Sequence, residues 1–468
     1  MSRSTPELDR QLRRRLTEIF GVQGMLTDPA DCWTYGYDNS RRQALPQAVV
    51  FATTSGQVRE LVCLCNERRI PLIARGRGTG TTGATVPDQG GIVLSFERMQ
   101  RIIEINPDDR LAVVEPGVTN DALQQAVGNQ GLFWPPDPSS AVACTVGGNL
   151  AYNSAGPRAV KYGTPRENTL GLQAVTGAGR EIRCGVRTSK GVVGYDLTRL
   201  LIGSEGTLAL ITEATLRLTP LPEARRTLRA VYQDMHAAAR AVAAIMAQPV
   251  TPCALEFMDG TALRLACDYS GLSLPAAAGA LLMIEVDGPA GCIDQSAAAV
   301  SSAARVAGLL ELHSATDAAE VAQLWRARKA LSPALRKVAP KKINEDVVVP
   351  VSHIPVFMDR LQDLGREYGI TIVNFGHAGN GNIHVNLLVN PDHPQELARA
   401  ETCLSAVFDL VLELRGTLSG EHGVGLEKRA FVAREIPPDT LALMHALKRQ
   451  FDPNDILNPG KALPAPMP

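Results

Sequence analysis

Pro71-Leu72-Ile73-Ala74-Arg75-Gly76-Arg77-Gly78-Thr79-Gly80-Thr81-Thr82-Gly83 sets a short apolar run directly before four glycines within eight residues. A simple turn needs one or two glycines; this many let the backbone approach a ligand closely. Gly78, Gly80 and Gly83 satisfy G-x-G-x-x-G, and Glu97 stands near the position of the acidic residue of a Rossmann dinucleotide site. That site also needs a helix opening at the loop, so that its N-terminus meets the pyrophosphate. Pro87, Gly90 and Gly91 leave no room for one before the next apolar run, Ile92 to Ser95, and no Gly-Lys-Ser/Thr follows to make a P-loop. What remains is a nest of successive N–H groups, which can cradle a pyrophosphate with no helix behind it.

Two further segments of small residues extend this reading. Thr145-Val146-Gly147-Gly148-Asn149 and Asn153-Ser154-Ala155-Gly156 follow the turn Pro136-Asp137-Pro138, where a flat ring could lie against backbone. Gly203-Ser204-Glu205-Gly206-Thr207 precedes the apolar run Leu208 to Ile211. Around them, short apolar runs (48–52, 71–74, 92–95, 102–105, 111–114, 170–176, 181–184, 208–218) alternate with helical spacing at 58–67, an α+β or α/β pattern that ends at Pro220-Leu221-Pro222. The section 134–157 is too punctuated for long regular elements.

From Arg226 the character changes. Strand-like runs at 228–232, 253–257, 280–286, 311–313, 347–351, 371–375 and 383–389 flank helical stretches at 235–246, 296–309 and 354–368, and 394–415 closes the domain. This predicts one antiparallel sheet covered on one face by helices. The tail around Phe451 to Lys461 is too short to fold alone and must pack on an existing core. The expected organisation is 1–222, 223–415 and 416–468, the last returning to the first.

The 468 residues suffice for about three units of roughly 150. With 45% apolar and 20% charged residues a sizeable core can be buried, and 47 Lys+Arg against 48 Asp+Glu give no bulk basicity for a nucleic acid or an anionic membrane. No apolar run approaches the ~18 residues of a membrane-spanning helix. Leu8, Leu12, Leu16, Ile19 and Phe20 recur at helical spacing, predicting an amphipathic helix within Met1 to Gly21, whose three acidic residues argue against a transit peptide. Nine scattered cysteines with no Cys-x-x-Cys fit reduced thiols in a cytosol and exclude iron–sulfur clusters and structural zinc fingers.

The second constellation is Gly376-His377-Ala378-Gly379-Asn380-Gly381-Asn382-Ile383-His384-Val385-Asn386, joined downstream by Ser419-Gly420-Glu421-His422-Gly423. Three of only eight histidines fall here, in Gly/Asn-rich segments. Two imidazoles and a carboxylate with an open position suit catalytic zinc and also non-haem iron, so ligand count alone does not choose. A metal-dependent hydrolase or oxygenase is therefore a competing reading, with the glycine loops merely structural.

Together Arg75-Gly76-Arg77-Gly78-Thr79-Gly80, Pro136-Asp137-Pro138, Thr145 to Asn149, Gly203 to Thr207 and Ile456-Leu457-Asn458-Pro459-Gly460-Lys461 resemble the FAD-linked D-2-hydroxy-acid dehydrogenases, the family of D-lactate dehydrogenase, D-2-hydroxyglutarate dehydrogenase and the glycolate oxidase flavoprotein subunit. The resemblance runs from about Tyr35 to Lys461. It implies the vanillyl-alcohol-oxidase fold: an α+β chain with a two-part FAD-binding domain and an α+β cap domain. By resemblance Arg75, Gly76, Arg77, Gly78, Thr79, Gly80, Pro136, Asp137, Gly147, Gly148, Ser154, Gly156, Glu205, Ile211 and Asn458 belong to the FAD pocket. No His or Cys stands where covalently flavinylated relatives attach the ring, so dissociable FAD is expected.

The same resemblance assigns His377, His384 and Glu421 to a divalent metal, zinc first and manganese or iron as alternatives, and His422 to the catalytic base. Arg328 would meet the substrate carboxylate, although Arg326, Arg328, Lys329, Arg336 and Lys337 also fit a solvated helix face. Lys342 and Asn386 are secondary substrate candidates. Lys329 stands where the family commonly has an acidic residue, and Lys341 to Asp346 is shifted relative to the hydroxyglutarate enzymes, which points to small monocarboxylates. With no cluster-binding cysteines, electrons must leave to a separate acceptor: a quinone, an electron-transfer flavoprotein, a cytochrome or an iron–sulfur subunit. An accessory flavoprotein subunit is the third reading. A homodimer and a cytoplasmic location, with peripheral attachment at the inner membrane as a variant, complete the expectations.

Overall fold

A computed structural model describes residues 8–271, 274–335 and 338–466. It comprises two units, one of Met1–Ala155, Gly163–Leu221 and Glu421–Pro468, the other of Gly156–Tyr162 and Pro222–Gly420.

Among the described residues the first unit holds a four-stranded sheet, a five-stranded sheet and a two-stranded ribbon. Strands β1 (Met25–Leu26), β2 (Ala48–Phe51), β3 (Leu72–Arg75) and β4 (Ile92–Ser95) lie in the order β1-β2-β4-β3, with β2, β4 and β3 parallel. All four residues of β2 and of β4 are buried, the continuous apolar reading of a parallel strand covered on both faces. The helix Ser55–Arg68, capped by Thr54 Oγ1 on the Gln57 N–H at 3.2 Å, buries Val58, Leu61, Val62 and Cys65 against this sheet. The helix Arg10–Phe20 adds Leu12, Leu16 and Phe20; the predicted N-terminal helix is thus present from Arg10, and residues 1–7 lie outside the described residues. The connection from β3 to β4 carries no helix, as Pro87 and Gly90-Gly91 require.

The second sheet of this unit is antiparallel. It contains β5 (Ile102–Asn106) and β6 (Leu111–Val114), while β7 (Leu132–Phe133) lies outside it; β8 (Thr169–Thr176), β9 (Glu181–Gly185) and β10 (Ala209–Arg217) complete the order β5-β6-β10-β8-β9. β11 (Thr219–Pro220) pairs with β7. Trp134 is fully buried here and donates its indole N–H to the Asn168 carbonyl at 3.0 Å. Within the punctuated section a seven-residue helix, Val146–Tyr152, forms behind the Thr145 cap. Gly147 is required there by close approach, since a Cβ would stand 2.5 Å from Pro116 Cβ. The tail adds to β3: the Leu72 N–H donates to Ile456 O at 2.7 Å and the Asn458 N–H to Leu72 O at 2.9 Å.

The second unit is one seven-stranded antiparallel sheet: β12 (Ala224–Tyr232), β13 (Ala254–Asp259), β14 (Ala280–Gly288), β15 (Leu309–Ser314), β16 (Lys341–Val348), β17 (Thr371–His377) and β18 (Asn382–Val389), in the order β15-β12-β14-β13-β17-β18-β16. One face carries the helices Met235–Ala247, Ile293–Ala304, Ile354–Tyr368 and Pro394–Glu413, with the Tyr232 hydroxyl donating to Ala304 O at 2.8 Å. The opposite face is also covered, which corrects the single-face expectation. Val231, Met258, Leu281, Met283, Val373 and Phe375 all point that way by register and are closed over by Gly260–Ser270 and Ala318–Ala334. Two boundaries also differ from the sequence reading. The second Ala-rich helix stops at Ala304, where Arg305 leaves the helical conformation (φ −80°, ψ 71°), and the strand expected at 347–351 is β16, ended before Pro350, which has no N–H to donate.

Candidate active site

In the first unit the glycine loop, the Thr145–Tyr152 segment and the Ser204–Gly206 turn border a cleft. Its lining includes Arg75, Gly76, Gly147, Gly148, Glu205, Ile211 and Asn458 from the sequence assignment. It also includes Thr145, Ser204 and Leu210 from the segments quoted above, and Phe96 and Tyr152, which the sequence reading did not single out. Arg77, Gly78, Thr79 and Gly80 form the loop itself and are not among the lining residues. Arg75 acts as the loop's internal brace: its guanidinium donates to Tyr37 O at 2.7 Å and lies where a Cβ on Gly78 would stand, 2.2 Å from Nη2. Gly78 has φ +67°, so both the backbone and the space beneath it demand glycine. Burial lowers the Arg75 pKa, with the Asp38 charge opposing. Of the remaining assigned residues, Pro136 and Asp137 hold the turn through Asn120 Nδ2→Pro136 O (3.0 Å) and Asp137 N→Ala155 O (2.9 Å), and Gly156 belongs to the second unit.

Glu205 ties the cleft to the returning C-terminal segment. It is buried at φ +53°, and its carboxylate accepts from the Val424 N–H at 2.6 Å and the Gly425 N–H at 2.8 Å, while Asn458 Nδ2 donates to its carbonyl at 2.7 Å. Burial pushes its carboxyl up to about 7, against those two N–H groups and the Lys428 and Lys461 charges, which favour ionisation. Lys461, buried beside Asn458, is pushed down to about 8 by the same desolvation. Two more contacts fix this segment by its backbone: Ser154 Oγ donates to Glu421 O at 3.0 Å, and Thr82 Oγ1 donates to His422 O at 3.2 Å. Glu421 and His422 therefore begin a turn whose main chain is held on four sides.

In the second unit β17 and β18 bring His377 and His384 together, their rings edge-on with centroids 5.2 Å apart. The sequence reading missed Glu256 on β13, directly opposite His377 in register and 1% exposed. Its carboxylate lies 2.5 Å from His377 Nδ1 and accepts from Arg328 Nε at 2.7 Å. Burial alone would raise its pKa; the His377 and Arg328 charges outweigh that and hold it below the ordinary value. Arg328 also stacks over Phe375, 4.9 Å from the ring centre, so it is a packed residue and not part of a solvated face; Arg336 and Lys337 lie outside the described residues. Asn386 is fully buried and gives its amide hydrogens to Val373 O (3.1 Å) and His384 O (3.0 Å), fixing the backbone that carries His384. Lys342 faces the same side from β16, opposite Leu388. Asp346, opposite His384, binds the Gly420 N–H at 2.9 Å and so anchors the residue from which Glu421 continues.

Comparison with known proteins decides the family. Residues 221–462 match the model for the C-terminal domain of FAD linked oxidases, and residues 46–185 match a FAD binding domain. The glycolate oxidase subunit GlcD of Bacillus subtilis (strain 168) is 37% identical over 455 residues, 97% of each chain. The chain belongs to the FAD-linked oxidase family. The D-lactate dehydrogenase of Archaeoglobus fulgidus is 36% identical over 443 residues, 93% of this chain and 96% of its own. Among solved structures, p-cresol methylhydroxylase with substrate bound superposes with a TM-score of 0.81 at 19% identity over 96% of both chains, and alkyldihydroxyacetonephosphate synthase with 0.76 at 21% over 98% of this chain and 87% of that one. These two share the fold, that of vanillyl-alcohol oxidase. The FAD-linked oxidase is accordingly an oxidoreductase, and an independent metal hydrolase with idle glycine loops has no support.

The cleft suits FAD on its own features. Gly148 and Gly206 line it with no neighbour closer than 3.3 Å and 3.5 Å to where a Cβ would point, so side chains there would fill the space. Apolar Ala74, Phe96, Leu210 and Ile211 offer a surface for a ring system, while the glycine backbones offer donors.

Proposed function

We propose that this FAD-linked oxidase converts a small D-2-hydroxy acid, of the glycolate or D-lactate kind, to the 2-oxo acid. The observation that carries the reading is the cluster on one sheet face: two adjacent imidazoles, and beside them an arginine held by a buried carboxylate. The names of the relatives, a glycolate oxidase subunit and a D-lactate dehydrogenase, agree with it. When bound, FAD supplies the hydride acceptor, and a divalent ion on His377, His384 and Glu421, zinc or else manganese or iron, supplies positive charge beside the substrate hydroxyl.

The chain's own groups do the rest. Arg328 reaches the substrate carboxylate with its terminal guanidinium nitrogens, its Nε being engaged by Glu256. His422 takes the hydroxyl proton; imidazole is the side chain that changes charge near neutral pH. The substrate loses that proton from oxygen and a hydrogen with its electron pair from C2, and a carbonyl forms. The backbone N–H groups of the Gly76 to Gly80 loop would hold the pyrophosphate of bound FAD. Electrons then leave to a separate acceptor, and the subunit name of the GlcD relatives favours a partner protein over a free quinone. The test is His422→Ala: FAD content unchanged and flavin reduction slowed by roughly 10²–10⁴-fold. Reduction at the wild-type rate would remove His422 from the reaction.

A further inference from the structure

A carboxylate in the middle of a seven-stranded sheet is costly by several kcal/mol unless it is paired. Glu256 sits there between Leu255 and Phe257, on β13, the central strand of the seven, and it is paired twice, once on each oxygen. An ionised carboxylate only accepts, so His377 Nδ1 must carry the hydrogen of the 2.5 Å contact. In the neutral ring that a metal would bind, the lone pair is then on Nε2. The other oxygen takes Arg328 Nε at 2.7 Å, so Nε is the guanidinium nitrogen that Glu256 engages. Phe375 under the guanidinium fixes its plane.

We propose that Glu256 is a positioning residue that sets the metal-facing nitrogen of His377 and the carboxylate-facing edge of Arg328 at once, coupling the two halves of the substrate site through one side chain. The inference rests on the proposed roles of His377 and Arg328. Carboxylates behind metal-bound imidazoles orient the ligand, and their loss costs about 10–100-fold in metal affinity. Here the same group also orients the arginine, so one substitution should alter two separate properties. Glutamine at this position has one acceptor and one donor end. Whichever way its amide turns, either His377 N–H or Arg328 Nε–H meets another N–H.

The experiment uses the FAD-loaded protein. Metal content of wild type, Glu256→Gln, Arg328→Met and the Glu256→Gln/Arg328→Met double variant is measured by mass spectrometry after dialysis against graded chelator, alongside KM, kcat and melting temperature. The expected result for Glu256→Gln is metal affinity down about 10–100-fold, a raised KM and unchanged FAD content. Arg328→Met should raise KM while metal affinity stays within a few-fold of wild type. The double variant leaves no unpaired buried charge, so it serves if Glu256→Gln folds poorly; its amide oxygen can then turn to His377 alone, so its loss of metal affinity should be smaller than that of Glu256→Gln while its KM stays raised. Wild type that retains metal while both Glu256 variants retain it equally would overturn the proposal. Wild type that never holds metal would overturn the ligand reading of His377 instead, and only a raised KM in Glu256→Gln would then remain to support the arginine half.

Discussion

Glu205→Gln probes the link between the cleft and the turn carrying His422. In the unfolded chain the carboxyl titrates near 4.5; in the folded unit burial raises it to about 7. Between those values the folded protein holds a proton that the unfolded chain has released. Its contribution to stability is therefore fully present below pH 4.5 and is lost as pH rises through about 7. The difference amounts to roughly 3 kcal/mol, or a melting shift of about 6–12 °C for a unit of this size class. Glutamine does not titrate, so the melting temperature of wild type should fall relative to Glu205→Gln by that amount from pH 4.5 to 7.5. Asp259, which burial also raises, to about 6, is present in both proteins and cancels; Lys461, lowered to about 8, titrates above the window. Thermal unfolding followed by circular dichroism in a buffer ladder is the assay. Parallel pH profiles for the two proteins would refute the assignment of a buried, proton-holding carboxyl at Glu205.

Two other substitutions follow from the geometry. Gly147→Ala places a Cβ 2.5 Å from Pro116 Cβ and 2.9 Å from its carbonyl oxygen, so the helix behind Thr145 must shift and FAD content per chain, read from visible absorbance, should drop sharply. Arg328→Lys keeps a charge but cannot hold Glu256 through Nε while presenting a two-nitrogen edge, so KM for the acid should rise roughly 10–100-fold with less effect on FAD content; an unchanged KM would contradict its role.

Much of the fold was legible because its signals are local. Pro87 and Gly90-Gly91 ruled out the Rossmann helix, and the tail's Ile456-Leu457 needed a core, which β3 supplies. The strand β16 was misplaced because Lys341, Lys342, Asn344, Glu345 and Asp346 are polar; Lys342, Asn344 and Asp346 alternate onto the face that carries His384. Gly260–Ser270 escaped notice, and with it part of the second helical cover of the sheet, although Ala262, Leu263 and Ala266 recur at helical spacing. In the site, residues flanked by glycines announced themselves. Glu256 did not, although a lone acid inside Ala254-Leu255-Glu256-Phe257-Met258 is the kind of buried charge that needs partners. Its partners, His377 and Arg328, lie 121 and 72 positions away; the register of β13 against β17 brings the first, and packing of the helix Ala318–Ala334 on the sheet brings the second.

The central claim is hydride removal from a D-2-hydroxy acid. Purified protein is mixed without oxygen with glycolate, D-lactate, L-lactate, D-malate and D-2-hydroxyglutarate in turn, and the visible flavin absorbance is followed. The account predicts rapid bleaching by glycolate or D-lactate and none by L-lactate; a yellow protein that none of these acids bleaches would contradict it.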